Sequence, residues 1–365
     1  MESYLRKWCL VSVWVLLLGL GFKVKAEPQV PCYFIFGDSL VDNGNNNRLF
    51  SLARADYFPY GIDFGGPTGR FCNGKTTVDV IAELLGFDNN IPAYSTASGE
   101  QILQGVNYAS AAAGIRDETG QQLGQRITFS GQVQNHQNIV SQIGEILGYG
   151  ATDYLKSCIY SVGMGSNDYL NNYFMPQSYS TSAQFSAEEY ANDLITRYRD
   201  QLNVLYSIGA RKFALVGVGA IGCSPNALAT HSPDGITCVE SFNSPIRIFN
   251  DRLKFMVQQF NNDQSDAKFI YINAYDLFQE LIANPSPYGF SVTNTACCGV
   301  GRNRGQLTCL PFVGFPCANR DEYLFWDAFH PTEAANKLIA QRSYTSQSPS
   351  DVYPMDISQL AALIV

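Results

Sequence analysis

Short apolar runs that read as buried strands alternate with longer stretches of helical periodicity. This alternation restricts the fold more than any other feature of the chain. Residues 31–36 are apolar on both alternating positions, as a strand covered on both faces must be, and the run ends on Gly37. Residues 106–109, 155–162, 212–218 and 268–273 read as further strands. Helical spacing occupies 76–85, 130–147, 239–260 and 274–282, and a long helix starts at Ser186 and ends at Gly209. Ser186 with Glu189 three residues on is a capping box, and Pro331 is expected to open a last helix reaching about Arg342. Five strands separated by helices predict an α/β fold: a mainly parallel five-stranded sheet covered on both faces. No internal repeat and no Pro- or Ser-rich linker occurs before residue 343, so 27–365 reads as one domain with a loosely packed, Ser-rich tail.

The N-terminus is of a different kind. Arg6 and Lys7 precede an apolar run over 8–20, and Val24-Lys25-Ala26 offers small residues at a cleavage position. The run falls short of the roughly 20 residues that span a bilayer, so 1–26 is predicted to be a removed secretory leader. The expected product is secreted, with no transmembrane anchor. Ten cysteines accord with that route. Cys9 goes with the leader, and Cys158, inside an apolar run, is the candidate free thiol. Cys32, Cys72, Cys223, Cys238, Cys297, Cys298, Cys309 and Cys317 remain to pair. Connectivity cannot be deduced; proximity suggests Cys223 with Cys238, and two pairs among the last four. Those four lie just before residue 327 and would brace the loop that follows. No C-x-x-C and no histidine in ligand spacing accompany them, so no metal is expected. Asn284-Pro285-Ser286 carries the excluded proline, so no N-glycan is expected. A net charge of −8 without a Lys/Arg run argues against nucleic acid.

In an open parallel sheet chemistry collects beyond the carboxyl ends of the strands, so the residues there come next. Gly37-Asp38-Ser39-Leu40 places a serine hydroxyl at the edge of the first strand. A serine nucleophile needs a base and a group to orient it. Of three histidines, His136 lies among Gln and Asn and reads as exposed, and His231 reads as a loop residue. His330, in Trp326-Asp327-Ala328-Phe329-His330-Pro331, has a carboxylate three residues earlier that can hold one ring nitrogen and leave the other for Ser39. Gly163-Met164-Gly165-Ser166-Asn167-Asp168 follows the third strand candidate, and the Asn167 amide can donate to an oxyanion. The small-residue stretch 105–114 can bring a backbone N–H to the same space.

Taken in order, Gly37-Asp38-Ser39-Leu40, Gly114 with its small-residue lead-in, Gly165-Ser166-Asn167-Asp168 and Asp327-x-x-His330 resemble the blocks of the GDSL (SGNH) hydrolases. The strings 34–40 and 325–333 are similar to the plant GDSL esterase/lipase branch, and the likeness covers about 31–342. The resemblance implies a three-layer α/β/α flavodoxin-like fold and a Ser39–His330–Asp327 triad. It also implies an oxyanion hole from the Ser39 N–H, Asn167 and a second-block N–H on Gly114, with Ala112 as the alternative position. The function then expected is a secreted serine esterase/lipase acting on small-molecule or lipid esters without a cofactor. The alternatives are a carbohydrate acetyl esterase and a silent binding protein of the same fold. Gly217-Val218-Gly219-Ala220-Ile221-Gly222 satisfies a dinucleotide fingerprint. That site needs a helix to begin there, and Pro225 is expected to prevent one. No G-x-S-x-G occurs, which argues against an α/β-hydrolase elbow.

Overall fold

The computed structural model describes residues 27–313 and 315–364; the expected leader and Cys9 lie outside them. Four parallel strands, β1 (Tyr33–Gly37), β2 (Ile159–Gly163), β3 (Lys212–Val216) and β4 (Lys268–Ile272), pair in sequence order. Each is buried almost throughout, which explains why the runs are apolar on both faces. Helices α1 (Thr77–Leu84), α2 (Phe129–Leu147), α3 (Ala151–Ser157), α4 (Ala187–Ser207), α5 (Pro225–His231), α6 (Glu240–Asp263), α7 (Ala274–Ala283) and α8 (Glu333–Tyr344) intervene. Phe34, Phe36, Phe213 and Phe269 pack on one sheet face against Val133, Leu194, Tyr198, Leu253 and Val257 of α2, α4 and α6. Tyr33, Ile35, Ile270 and Ile272 pack on the other against Val78, Ile81 and Ala340 of α1 and α8. The result is the expected three-layer α/β/α arrangement. Among the described residues no helix is long and apolar enough to cross a membrane.

Several expectations change at this level. The fifth strand is not 106–109. Asn107 makes single bridges to Ile35 and Ala93, because the chain crosses the outer edge of β1 and turns away. The fifth strand is β5 (Val352–Tyr353), antiparallel to β4. It lies in the tail expected to be loose. That tail is instead tied down: Arg342 pairs with Asp351 inside the protein, and helix α9 (Ile357–Ala362) buries Ile357 and Leu360. Residues 155–157 belong to α3, so β2 is shorter than its apolar run. Pro331 precedes α8, whose N-cap is Thr332 accepting from the Ala335 N–H. Pro225 does not bar a helix either; it begins α5 in the first turn, where a missing N–H costs nothing. The preceding glycine loop is held by side chains of α6: Asn250 clamps Val218 and Asn243 accepts from the Gly222 N–H.

The free thiol is also reassigned. Cys158 pairs with Cys32, and Cys72 is the buried free cysteine among the described residues. The register explains the pairing: Tyr33 lies opposite Ile159, so the residues just before them stand side by side. The Cys223–Cys238 bridge is present, and the last four pair as Cys297–Cys317 and Cys298–Cys309.

Candidate active site

Ser39 stands two residues beyond β1, where the chain must turn sharply over the sheet edge. Gly37 permits this close approach: a Cβ there would sit 2.5 Å from Val41 and 3.3 Å from the Gly163 carbonyl. The side chain of Gln132 grips Gly37 on both sides, accepting from its N–H at 3.0 Å and donating to its carbonyl at 2.8 Å. The Asp38 carboxylate accepts from the Leu40 N–H at 3.0 Å. Burial raises the Asp38 carboxyl to about 6, against the opposing pull of the Leu40 N–H and His330. Asp42 joins this turn to the segment after Tyr108, accepting from the N–H groups of Gly44, Asn45 and Ala111.

His330 reaches Ser39 from the far end of the chain. Its Nε2 lies 2.8 Å from the Ser39 Oγ, and its Nδ1 lies 2.8 and 2.9 Å from the two Asp327 oxygens. The network assigns the ring proton to Nδ1, which leaves Nε2 to accept. The turn holding both residues is locked by Asp327 Oδ1, which also accepts from the Phe329 and His330 N–H groups at 2.9 and 2.8 Å. Asp327 is fully buried. Burial pushes its carboxyl up. The neighbouring His330 and the hydrogen bonds from His330, Tyr60 and Phe329 outweigh that and hold it below the usual carboxylate range. Tyr60 donates to Asp327 Oδ2 at 2.6 Å and Thr308 donates to the same oxygen at 3.0 Å. Sequence reasoning did not single out either residue, because nothing in local spacing links positions 60 and 308 to 327.

The four cysteines before Asp327 meet it directly. The Cys297 and Cys298 N–H groups donate to the carbonyls of Phe325 and Trp326. Thr308 is the neighbour of Cys309, whose carbonyl accepts from Tyr57. The bridges therefore brace the loop that carries Asp327 and His330, as expected from their position.

A mainly apolar cavity of about 750 Å³ opens at Ser39 and His330. Asn167 and Ala112 line it. The Asn167 amide donates to the Ala113 carbonyl at 2.9 Å, and its oxygen accepts from Asn171 at 2.7 Å. Its second amide hydrogen is the one left for the cavity side. Ala112 takes a φ of 65°, which L-residues rarely adopt and which commonly accompanies function. Gly114 instead packs against Thr119 and Asp168, away from the cavity; a Cβ there would lie 2.4 Å from the Thr119 methyl. Asp168 anchors this segment through the Ile115 and Arg116 N–H groups and the Thr119 hydroxyl. Of the other histidines, His231 closes α5 and lines the cavity, whereas His136 is buried rather than exposed. It sits on the inner face of α2 with Gln132 and Val133, a placement that helical periodicity would have shown.

Residues 33–343 match the model of the GDSL-like lipase/acylhydrolase family. The chain is 79% identical to the GDSL esterase/lipase At1g29660 of Arabidopsis thaliana over 365 residues, covering 100% of both chains. It is 69% identical to the GDSL esterase/lipase At1g29670 of the same plant, again covering 100% of both. GDSL esterase/lipase 7 of Arabidopsis thaliana is 47% identical, with 97% of this chain and 98% of that one covered. The chain belongs to the GDSL-like lipase/acylhydrolase family.

Proposed function

We propose that this family member, a carboxylic ester hydrolase, works through an acyl-serine intermediate with Ser39 as nucleophile, His330 as general base and Asp327 as the group that orients it. The observation that carries the reading is the continuous hydrogen-bonded line from Ser39 Oγ through His330 to Asp327, with contacts of 2.8 Å at each end. His330 Nε2 takes the hydroxyl proton as Oγ attacks the ester carbonyl. Negative charge then develops on the carbonyl oxygen. The second Asn167 amide hydrogen, the Ser39 N–H and the Ala112 N–H are the donors assigned to it, Ala112 replacing Gly114 because it is the one lining the cavity. His330 returns the proton to the leaving alcohol, and water repeats the sequence on the acyl-serine. The complete line argues for an active enzyme over a silent binding protein.

The reading extends to the route of the protein. Four disulfides and the leader-like 1–26 support a secreted enzyme acting outside the cell, with 27–365 as a single catalytic domain. Ser39→Ala and His330→Ala should each lower kcat/KM for a short nitrophenyl ester by about 10³-fold or more. A fluorophosphonate should label Ser39 only when His330 is present and unprotonated. Near-normal turnover by Ser39→Ala would overturn the assignment.

A further inference from the structure

The cavity at Ser39 does not stop at the surface cleft. One arm passes inward beneath the turn of residues 37–41 and enters the layer between the sheet and helices α1 and α8. Its floor is the sheet face that carries Ile35 and Ile272, and its roof is Val78 and Ile81 of α1 with Ile339 and Ser343 of α8. These six residues are each at most 6% exposed, so this part of the cavity belongs to the interior. Protein cores seldom leave room larger than a water molecule, because an empty apolar space forfeits the contacts that hold the layers together. An apolar arm that opens beside a serine hydroxyl is room for a ligand.

The polar groups along the arm narrow the chemistry of that ligand. The Ser343 hydroxyl donates back to the Ile339 carbonyl at 2.7 Å. The amide of Asn336, on the same face of α8, donates to the Lys75 carbonyl and accepts from the Thr77 hydroxyl. Both groups already have partners in the protein, so a hydrocarbon chain can lie along them without leaving a buried polar group unpaired. Asn336, Ile339 and Ser343 recur at helical spacing, so the arm follows α8 for about 10 Å, the reach of roughly eight extended methylenes.

We propose that this arm is the acyl-binding site, and that the enzyme prefers esters of unbranched aliphatic acids of medium chain length. The proposal rests on the acyl-serine reading above: attack by Ser39 leaves the carbonyl carbon at the mouth and the hydrocarbon chain directed inward. The leaving alcohol then occupies the open side of the cavity near Asn167.

Two measurements on the full chain test it. First, kcat/KM is measured for nitrophenyl esters from acetate to dodecanoate. The expected profile rises by up to about fourfold per methylene and levels off near ten carbons. Ile81→Trp and Ile339→Trp, which fill the arm, should each lower the decanoate-to-acetate ratio at least tenfold. Second, displacement of the fluorescent fatty acid cis-parinaric acid from the wild-type protein is followed. Decanoate should displace it at concentrations at least tenfold below those needed for butyrate. This second readout needs no variant, so it stands if either tryptophan prevents folding. A chain-length profile flat from acetate to dodecanoate, or equal displacement by both acids, overturns the proposal. If only the arm is wrong, acetate esters are still hydrolysed and Ser39 is still labelled by a fluorophosphonate. If the acyl-serine reading is wrong, Ser39 is not labelled, whatever the chain-length profile.

Discussion

Asp327 collects hydrogen bonds from backbone, imidazole, phenol and hydroxyl, and the shortest comes from Tyr60 at 2.6 Å. This phenol does not touch Ser39; it fixes the charge and direction of the carboxylate that orients His330. Tyr60→Phe should lower kcat/KM by about tenfold, the value of one hydrogen bond to a charged group. The loss should fall on kcat rather than on KM, because a phenol that touches only Asp327 does not bind substrate. A raised KM with kcat unchanged would reduce Tyr60 to a packing role. His136 makes a different prediction. Burial lowers its pKa to about 3, with Nδ1 against the Tyr108 hydroxyl at 2.9 Å and Nε2 without a partner. The unfolded chain therefore takes up a proton there from about pH 6.5 downward that the folded chain refuses, and stability is lost as pH falls through that window. Replacing His136 with Phe should flatten the dependence of urea-melt stability on pH by about 1.4 kcal/mol per pH unit between pH 4 and 6. That Ser39, Asp327 and His330 would meet was legible because their residue types and order carry chemistry. Tyr60, Thr308, Gln132 and Asp42 were not, because each acts across a fold contact that leaves no local pattern.

The helices and strands were mostly legible as elements and less so at their ends. Ser186 and Glu189 form the capping box seen in their spacing, and α4 starts where they place it. The stretch 155–162 misled because buried Leu155 at the end of α3 lies close before the buried strand, and hydrogen bonding divides the two elements at Cys158. The disulfides act on different elements and should separate stability from catalysis. Cys32–Cys158 spans 126 residues and staples the starts of β1 and β2, whereas Cys298–Cys309 spans 11 and holds the loop that carries Thr308. On chain entropy alone the first contributes about 5 kcal/mol and the second under 3 kcal/mol. Paired alanine variants should therefore rank in that order in urea midpoint. Activity of the folded protein should rank the other way, because only the short bridge positions a contact to Asp327. Equal loss of activity in both would show that the short bridge has no special tie to the site.

At the scale of the molecule the tail completes the sheet and one of its faces. It reads as weak from composition, since 345–350 offers no periodicity, yet Arg342 is committed to Asp351 and Glu280, and Ile357 and Leu360 are fully buried. Truncation after residue 345 would bare that face and leave the mostly buried Arg342 without its aspartate. It should cost about 5 kcal/mol or more, read as loss of a cooperative thermal transition. The parallel sheet has a further consequence in time. Tyr33 must wait for Ile159, and Ser39 lies 291 residues before His330. At synthesis rates of about 5–20 residues per second, roughly 15 to 60 seconds separate the appearance of nucleophile and base. The contact order is high, so folding is expected to be slow and to finish with the two ends of the chain. Under the proposed triad, a chain halted before residue 330 carries its serine as an inert alcohol, and hydrolytic power arrives only with completion.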